Sequence, residues 1–567
     1  MALSAYPDVP LFRYPYTELT EAQIAGKLAP AAQNGPGGKG PLESDLAGTT
    51  LRIVTDGSGT LTWQFGQRNR VTFNGVEAGY GALTLDHVTL ITHLMPNSTK
   101  GWIIAWDRSS NLATVYELWF GGGPSPHMRE VNRAIWHGYV QTATGPAPTA
   151  RHTPTLRIEG RALAWTEDTG NRTIDYYPSV TYSHWVELDR LKEGRGYSAP
   201  SGYIQLTEDI YAYDRVEAEF SGLMHMFLMD MNRLEQVGVR FGFNGKDELE
   251  YYMFRGTGEW LGQLARFELF GDFSAEPFKT ENDKKGERRI YRPLATMDKL
   301  TPAEVAEVAR TKTKVFEGPS GMAGNGTPAS GALAGKAFAI RYDDGPSMEY
   351  RFESADSLSW RKSGGAWTKA RYNAWEVMPG AFIFGHLLQG EPDHDCHIVA
   401  ADLDSGMATL FRGYMNTPYI ANEAGAETYF GKITGEGIPD PGDRRHERTR
   451  DMLGRAFTWE YSPGVNSMHV YSTPNTVSWV IPTPTNQFGS EWSGTGDFVK
   501  IRDQLYFNRW LEEACNGTLG TFLVNMRTMH DAGIGYHCSK TELSLGPIGA
   551  PARHAGRIDV EKFFPQA

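Results

Sequence analysis

Cysteine is nearly absent from this 567-residue chain, which has only Cys396, Cys515 and Cys538 and no Cys-x-x-Cys pair. That excludes a disulfide scaffold or a zinc ribbon and fits a reducing compartment. Positive charge is also short. Fifty-five Lys and Arg against 67 Asp and Glu leave a net charge of −12, which argues against nucleic acid or an anionic membrane as partner. No apolar run is long enough to span a bilayer, and the first residues, MALSAYPDVPLFRYPYTE, lack the basic and apolar regions of a signal peptide. There is no Gly-x-Ser-x-Gly elbow, no cysteine nucleophile motif and no phosphate-binding glycine loop. Asp393-His394-Asp395-Cys396-His397 is the one dense run of metal-type side chains. It follows QGEP and reads as a hairpin turn, since no second cluster completes a site. The expectation is a soluble, cytoplasmic protein with no metal and no cofactor.

What the chain has in quantity is aromatic side chains, 12% of residues, and similarity to itself. RHTPTLRIEGR (151–161) matches RHERTRDMLGR (445–455) at a shift of 294. Residues 202–243 lie without a gap on 497–538 at a shift of 295, with Tyr211/Tyr506, Glu217/Glu512, Gly222/Gly517, Phe227/Phe522 and Gly238/Gly533 identical. A register shared over some forty residues reads as a duplication. Each half opens on a helix signal, LTEAQIAGKL and LTPAEVAEVARTKTKVF, in which Thr is followed three residues on by Gln or Glu, a capping box. A Gly/Pro/Ala-rich stretch follows each (APAAQNGPGGKGP and GPSGMAGNGTPASG) and reads as a flexible tether.

Short alternating segments follow, such as TLTWQF, HVTLITHL, AFAIRYDD and SMEYRFES, punctuated by turns such as DDG and DSG. They predict an all-β chain of antiparallel hairpins. The divisions are a helix and linker (1–46), barrel A1 (47–150), barrel B1 (151–275), a second helix and linker (276–332), barrel A2 (333–440) and barrel B2 (441–567). Modules of about 100 residues can close into up-and-down barrels that hold a small ligand; β-sandwiches are the structural alternative.

The motifs RH-x-x-T, G-R-A-Φ-x-W, and a Tyr and Glu six residues apart recur in both B modules. With them the chain resembles the molybdenum-cofactor-biosynthesis F-like (MoaF-like) family, whose members pair two calycin-type, lipocalin-like barrels; here the pair would occur twice. The stretch VKIRDQLYFNRWLEEACNG (499–517) is also similar to phenolic acid decarboxylases, themselves small calycin barrels. That likeness implies Glu512 as the acid on a Tyr-x-x-x-Trp-x-Glu strand, beside Tyr506 and Trp510. It places the carboxylate-gripping tyrosine pair on Trp459 and Tyr461, so one of the two is replaced. In B1 the acid falls on Glu217, but Arg215 stands for Trp510 and Glu167 for Tyr461, which puts decarboxylation in doubt.

Strand alternation sets Tyr506, Asn508, Trp510 and Glu512 on one face, and Tyr211, Tyr213, Arg215 and Glu217 on one face in B1. Either face could be the inner one. If these faces line a barrel, burial among aromatics would raise the carboxyls and suit them to proton transfer. Glu512, Glu217, His469 and Tyr461 are the candidate catalytic residues. Tyr506, Trp510, Trp459, Asn508, Tyr211, Tyr213, Arg215, His184, Trp165, His386 and His93 are the candidate binding residues. His184 and His469 are expected on equivalent strands. In the A modules His93 and His386 take the strand position of Arg215 and Trp510, as pocket groups or as hydrogen-bonded core histidines.

The expected function is cofactor-independent general acid/base chemistry (dehydration, isomerisation, decarboxylation or cyclisation) on a hydrophobic, aromatic or polyketide/terpenoid-like small molecule. A non-catalytic lipocalin-like carrier is the rival, and a role in molybdenum cofactor biosynthesis is favoured only by the family resemblance. The expected partner is a hydrophobic small molecule, with a homodimer left open.

Overall fold

The computed structural model describes residues 19–564, apart from 44, 122–128, 130, 143–145, 180–181, 190–194, 218–222, 245–246, 268–298, 418–420, 483–490 and 513–516. The signal-peptide reading of residues 1–18, the charge run KKGERR (284–289), Gly222 and Cys515 thus lie outside the described residues. The rest form two compact units, broadly the two halves of the chain. Among the described residues both are mainly antiparallel β-structure with one α-helix each, and a single turn of 3₁₀ helix lies near the C-terminus.

In the first unit, α1 (Glu21–Asn34) starts at the expected capping box of Thr20 and Gln23. It does not stop before APAAQN but continues through Pro30 to Asn34. A proline inside a helix costs one backbone bond and some strain; here the turn around it buries Leu28 and Ala32, which offsets that cost. Barrel A1 has eight strands, Thr50–Thr55 to Val131–Val140, closed by pairing of Ile53 with Val140. Barrel B1 is closed by its first strand, Arg161–Glu167, on its last, Leu249–Leu264. The outer faces of the two barrels and α1 share one apolar core, to which A1 gives Leu90 and Tyr116 and B1 gives Met226 and Val239. A second apolar set fills each barrel, Trp63 and Phe73 in A1 and Tyr203 and Phe227 in B1. Strands such as Val88–Leu94 and Ile210–Val216 are consequently buried along their whole length.

In the second unit, α2 (Pro302–Thr311) begins at the capping box of Thr301 and Glu304. The β-branched run after it leaves the helix, and Thr313–Val315 pairs in parallel with Leu543–Leu545. Barrel A2 is a nine-stranded sheet, nearly closed, with Thr368–Arg371 and Asn373–Met378 as its two end strands. A1 has one continuous strand at that place, Val76–Leu85, paired on both sides. Barrel B2 closes through Arg455–Ser462 on Ala552–Ile558. Its last strand is in two pieces, Leu543–Ile548 and Ala552–Ile558, where B1 has the single 16-residue strand Leu249–Leu264. Pro547 and Pro551 lie at the break, and neither can donate to a ladder.

Pairing registers agree between the B barrels: Tyr211 faces Met229, and Tyr506 faces Val524. The RH motif is a joint between barrels of one unit. His152 Nδ1 meets Thr114 Oγ1 at 2.9 Å in the first unit, and His446 Nδ1 meets Thr409 Oγ1 at 2.9 Å in the second. The preceding arginines, Arg151 and Arg445, pair with Asp56 and Asp343. No helix among the described residues is long and apolar enough to cross a membrane.

Candidate functional site

Barrel B2 contains a cavity of about 660 Å³, within the ordinary range for small-molecule sites. The strand Leu505–Glu512 decides its character. Leu505 and Phe507 face outward into the core shared with A2 and α2, so Tyr506, Asn508, Trp510 and Glu512 take the inner face. Trp510 and Glu512 line the cavity. Asn508 is fully buried. Tyr506 sits further along the strand, its hydroxyl donating to Asp451 at 2.9 Å, and it is not part of the cavity wall.

Trp510 stacks on Phe522 with centroids 4.1 Å apart and receives His469 edge-on at 4.9 Å. Trp459 and Tyr461 flank His469 at 5.9 and 6.4 Å. His469 Nε2 shares a hydrogen with Ser467 Oγ at 2.7 Å. Its Nδ1 has no hydrogen-bond partner among the described residues, and His469 lines the cavity. Burial lowers His469 to about 3, so at neutral pH the ring is uncharged, with one nitrogen a donor and the other an acceptor. Burial, reinforced by the charge of Asp531, pushes the Tyr461 phenol well up and keeps it a neutral donor.

The mouth is built from the segment read as a flexible tether, and that reading is corrected. Phe316 N–H donates to Leu545 O (2.7 Å), Met322 O accepts from Gly549 N–H (2.8 Å), and Asn325 N–H donates to Tyr461 O (2.8 Å). Main-chain bonds thus lay the strap Glu317–Met322 along the cavity, and Lys314 closes on Glu542 at 2.6 Å. Glycine is needed at position 324, where a Cβ would come within 2.8 Å of the Ser462 side chain. Gly324→Val is therefore expected to lift the strap. Limited proteolysis should cut near residues 317–326 at least fivefold faster (an order-of-magnitude expectation) while far-UV circular dichroism is unchanged; equal cutting rates would show that the strap tolerates the side chain.

B1 has the same plan, and its described residues include an aromatic cluster in the interior. Tyr211, Tyr213 and Trp165 lie in its aromatic core; Tyr213 donates to Ser183 at 2.7 Å and Trp165 Nε1 to Tyr177 at 3.2 Å. Arg215, at the Trp510 position, pairs with Asp175 at 2.5 Å and donates to His225 at 3.0 Å. Glu217 is buried 3.7 Å from His225 Nε2. The expected equivalence of His184 and His469 fails. His469 is on the second strand of its barrel, and the register sets Asp175 there in B1 (Leu163 faces Asp175 as Phe457 faces His469). His184 is on the third strand, between Ser183 and Trp185. Tyr213 and Arg215 contact those two from inside the barrel, so His184 takes the outer face, bonded to Ser198.

In the A barrels, His93 and His386 are interior core residues. Trp63 Nε1 donates to His93 Nε2 at 2.8 Å, and His386 packs among Tyr350, Trp360 and His397. Burial lowers both to about 4. In the Asp393–His397 run, Cys396 and His397 enter a buried strand and Asp395 pairs with Arg412 at 2.6 Å. No group of three or more His, Cys, Asp or Glu side chains among the described residues is arranged to hold a metal.

Sequence reasoning missed Trp479, Trp492 and Ser467 on the cavity wall. Trp479 was within reach, because it falls on Trp185 at the shift of 294. It also missed Asp531, on the inner face with Gly533, Gly535 and His537. One oxygen of Asp531 accepts from Ala550 N–H at 2.7 Å, and burial pushes the carboxyl up to about 8.

Residues 319–417 match the MoaF N-terminal domain and residues 446–557 match the MoaF C-terminal domain. These spans correspond to the strap with most of A2, and to B2. No curated protein matches the chain.

Proposed function

We propose, from the premise that the second half of the chain is a MoaF-type pair of barrels, that B2 binds a hydrophobic aromatic small molecule and transfers a proton on it. The observation that carries this reading is the placement of Glu512 and a neutral His469 on one aromatic-walled cavity. Glu512 is the proton-transferring group. His469 Nδ1 and the Tyr461 hydroxyl orient the ligand's polar atom, and Trp510, Trp479 and Phe522 hold its rings and exclude water. Dehydration, isomerisation and cyclisation all need only such a held, reactive ligand and one positioned acid/base. The first-half barrel B1, with Arg215 in its interior, is not assigned this chemistry.

Proton transfer at carbon leaves an isotopic trace. The full chain, incubated in heavy water with a panel of neutral vinyl- and acylphenols, is expected to incorporate deuterium into at least one of them. Glu512→Gln should slow that incorporation by about a hundredfold and keep the same phenol's affinity within about threefold, read by tryptophan fluorescence. Unchanged incorporation in the variant would remove Glu512 from the chemistry. Binding without any incorporation would leave a carrier.

A further inference from the structure

Three neighbouring strands at the mouth of the B2 cavity each turn a reactive side chain to their inner face. In the hairpin from His530–Cys538 to Leu543–Ile548, Tyr536, Cys538, Leu543 and Leu545 point outward into the core shared with A2. Alternation therefore turns His537, Glu542 and Ser544 inward, and all three line the cavity. His537 and Ser544 are register partners, with Ser544 Oγ 2.9 Å from His537 Nδ1. A turn closed by Ser539 N–H on Glu542 O (2.8 Å) sets the Glu542 carboxylate 3.5 Å from the other ring nitrogen, Nε2. On the far side of Ser544, the parallel strand Thr313–Val315 makes Lys314 its second register partner. The Lys314 ammonium is 2.6 Å from Glu542.

A hydroxyl, an imidazole and a carboxylate in this order are the array that activates serine as a nucleophile, and it is recognised by geometry rather than by a sequence motif. With the Nε2 hydrogen turned to Glu542, Nδ1 carries the lone pair that accepts from the Ser544 hydroxyl. The two ring nitrogens thus exchange the places they hold in serine proteases. Burial lowers His537 below its ordinary value, against the charge of Glu542, so the ring is neutral at pH 7 and able to take a proton. Lys314 is the one cationic side chain among the described residues of the cavity wall, and it stands beside Ser544, where an oxyanion would form. Closing a B barrel does not require the set. The register of the repeat puts Gly242 and Glu250 in B1 at the places of His537 and Ser544.

We propose that the mouth of B2 carries a second activity, the hydrolysis of carboxylic esters with an apolar acyl group through an acyl-Ser544 intermediate. Ser544 Oγ attacks the ester carbonyl carbon while its proton passes to His537 Nδ1. The bond from that carbon to the leaving alcohol's oxygen then breaks, and the alcohol departs with the proton from His537. Water repeats both steps on the acyl group, which releases the acid and restores the Ser544 hydroxyl. Lys314 stabilises the oxyanion in each half, and the acyl group lies in the aromatic cavity. Glu542 is a positioning residue that orients the imidazole. This chemistry stands whether or not Glu512 transfers a proton.

The test treats the full chain with a fluorophosphonate, which phosphonylates activated serines, and maps the adduct by peptide mass spectrometry. The adduct is expected on Ser544, forming at least about tenfold more slowly in His537→Gln. Hydrolysis of 4-nitrophenyl butyrate should fall about a hundredfold in Ser544→Ala, with far-UV circular dichroism unchanged. The rate should fall on the acid side with a midpoint below about pH 6.5. In Glu542→Gln that midpoint should move lower still, because the charge that favours protonated His537 is gone. No adduct on Ser544, or a Ser544→Ala variant that hydrolyses the ester within about twofold of the parent, would overturn the proposal. Neither result bears on Glu512, whose chemistry is read separately by deuterium incorporation.

Discussion

Acidification from pH 7 to pH 5 is expected to destabilise the second unit steeply, before most of its carboxylates titrate. His386 and His446 are held at about 4 and His469 at about 3 by burial, whereas in the unfolded chain a histidine takes up its proton near pH 6.5. A lowered folded-state value means that the unfolded chain binds more protons between those limits. The stabilisation is therefore present above about pH 6.5 and lost as pH falls toward 4. Three such groups give a slope of about 4 kcal/mol per pH unit in that window. Asp531 acts in the opposite direction. Burial raises it to about 8, so its contribution is fully present below pH 4 and declines as pH rises through 8. The optimum should lie near neutrality, with the acid side the steeper. Urea titrations at pH 5, 6 and 7, with proton uptake measured in two buffers, would show this. A midpoint unchanged from pH 7 to pH 5 would mean that these histidines are protonated in the folded state.

Removing the Arg215 guanidinium is expected to cost the first unit about 3–5 kcal/mol, the range for breaking a buried ion pair by deleting one partner. Arg215 and Asp175 are each less than one-tenth exposed, and Arg215 also fills the space against Trp185. Arg215→Leu leaves the Asp175 carboxylate without its cation. Burial already pushes Asp175 upward, opposed by Arg215, so loss of the cation should push it further up, and proton uptake by Asp175 would cap the loss. The double substitution Arg215→Trp with Asp175→His installs the residues that B2 uses at both places, and it should recover more than half of the loss. Equilibrium unfolding in urea gives both values. An Arg215→Leu variant within about 1 kcal/mol of the parent would show that the pair only breaks even against its desolvation.

The two B barrels show how far the sequence could be read. Their strands, the six-residue spacing of Tyr and Glu, and the capping boxes at Thr20 and Thr301 were legible because each rests on local periodicity or on a local hydrogen bond. The inner face of Leu505–Glu512 was not legible. Phe507 and Trp510 are both large, apolar and buried, one in the core between barrels and the other in the cavity, and alternation carries no information when both faces are covered. The His184 error has a similar source, since a strand sequence does not state its place in the barrel order. The strap was misread because glycine-rich composition normally signals freedom, whereas here glycine permits close passage over Ser462.

The sequence alone determined that this is an all-β chain with a repeated B module, that both copies keep a glutamate at the same place, Glu217 and Glu512, and that Trp510 in the second copy stands where the first has Arg215. Periodicity, capping and the repeat register suffice for that. Only the tertiary structure decided that Arg215 and Asp175 meet inside one barrel, while Trp510 and His469 border a cavity in the other. The physical reason is that these partners lie 40 or more residues apart and become neighbours only when the barrel closes.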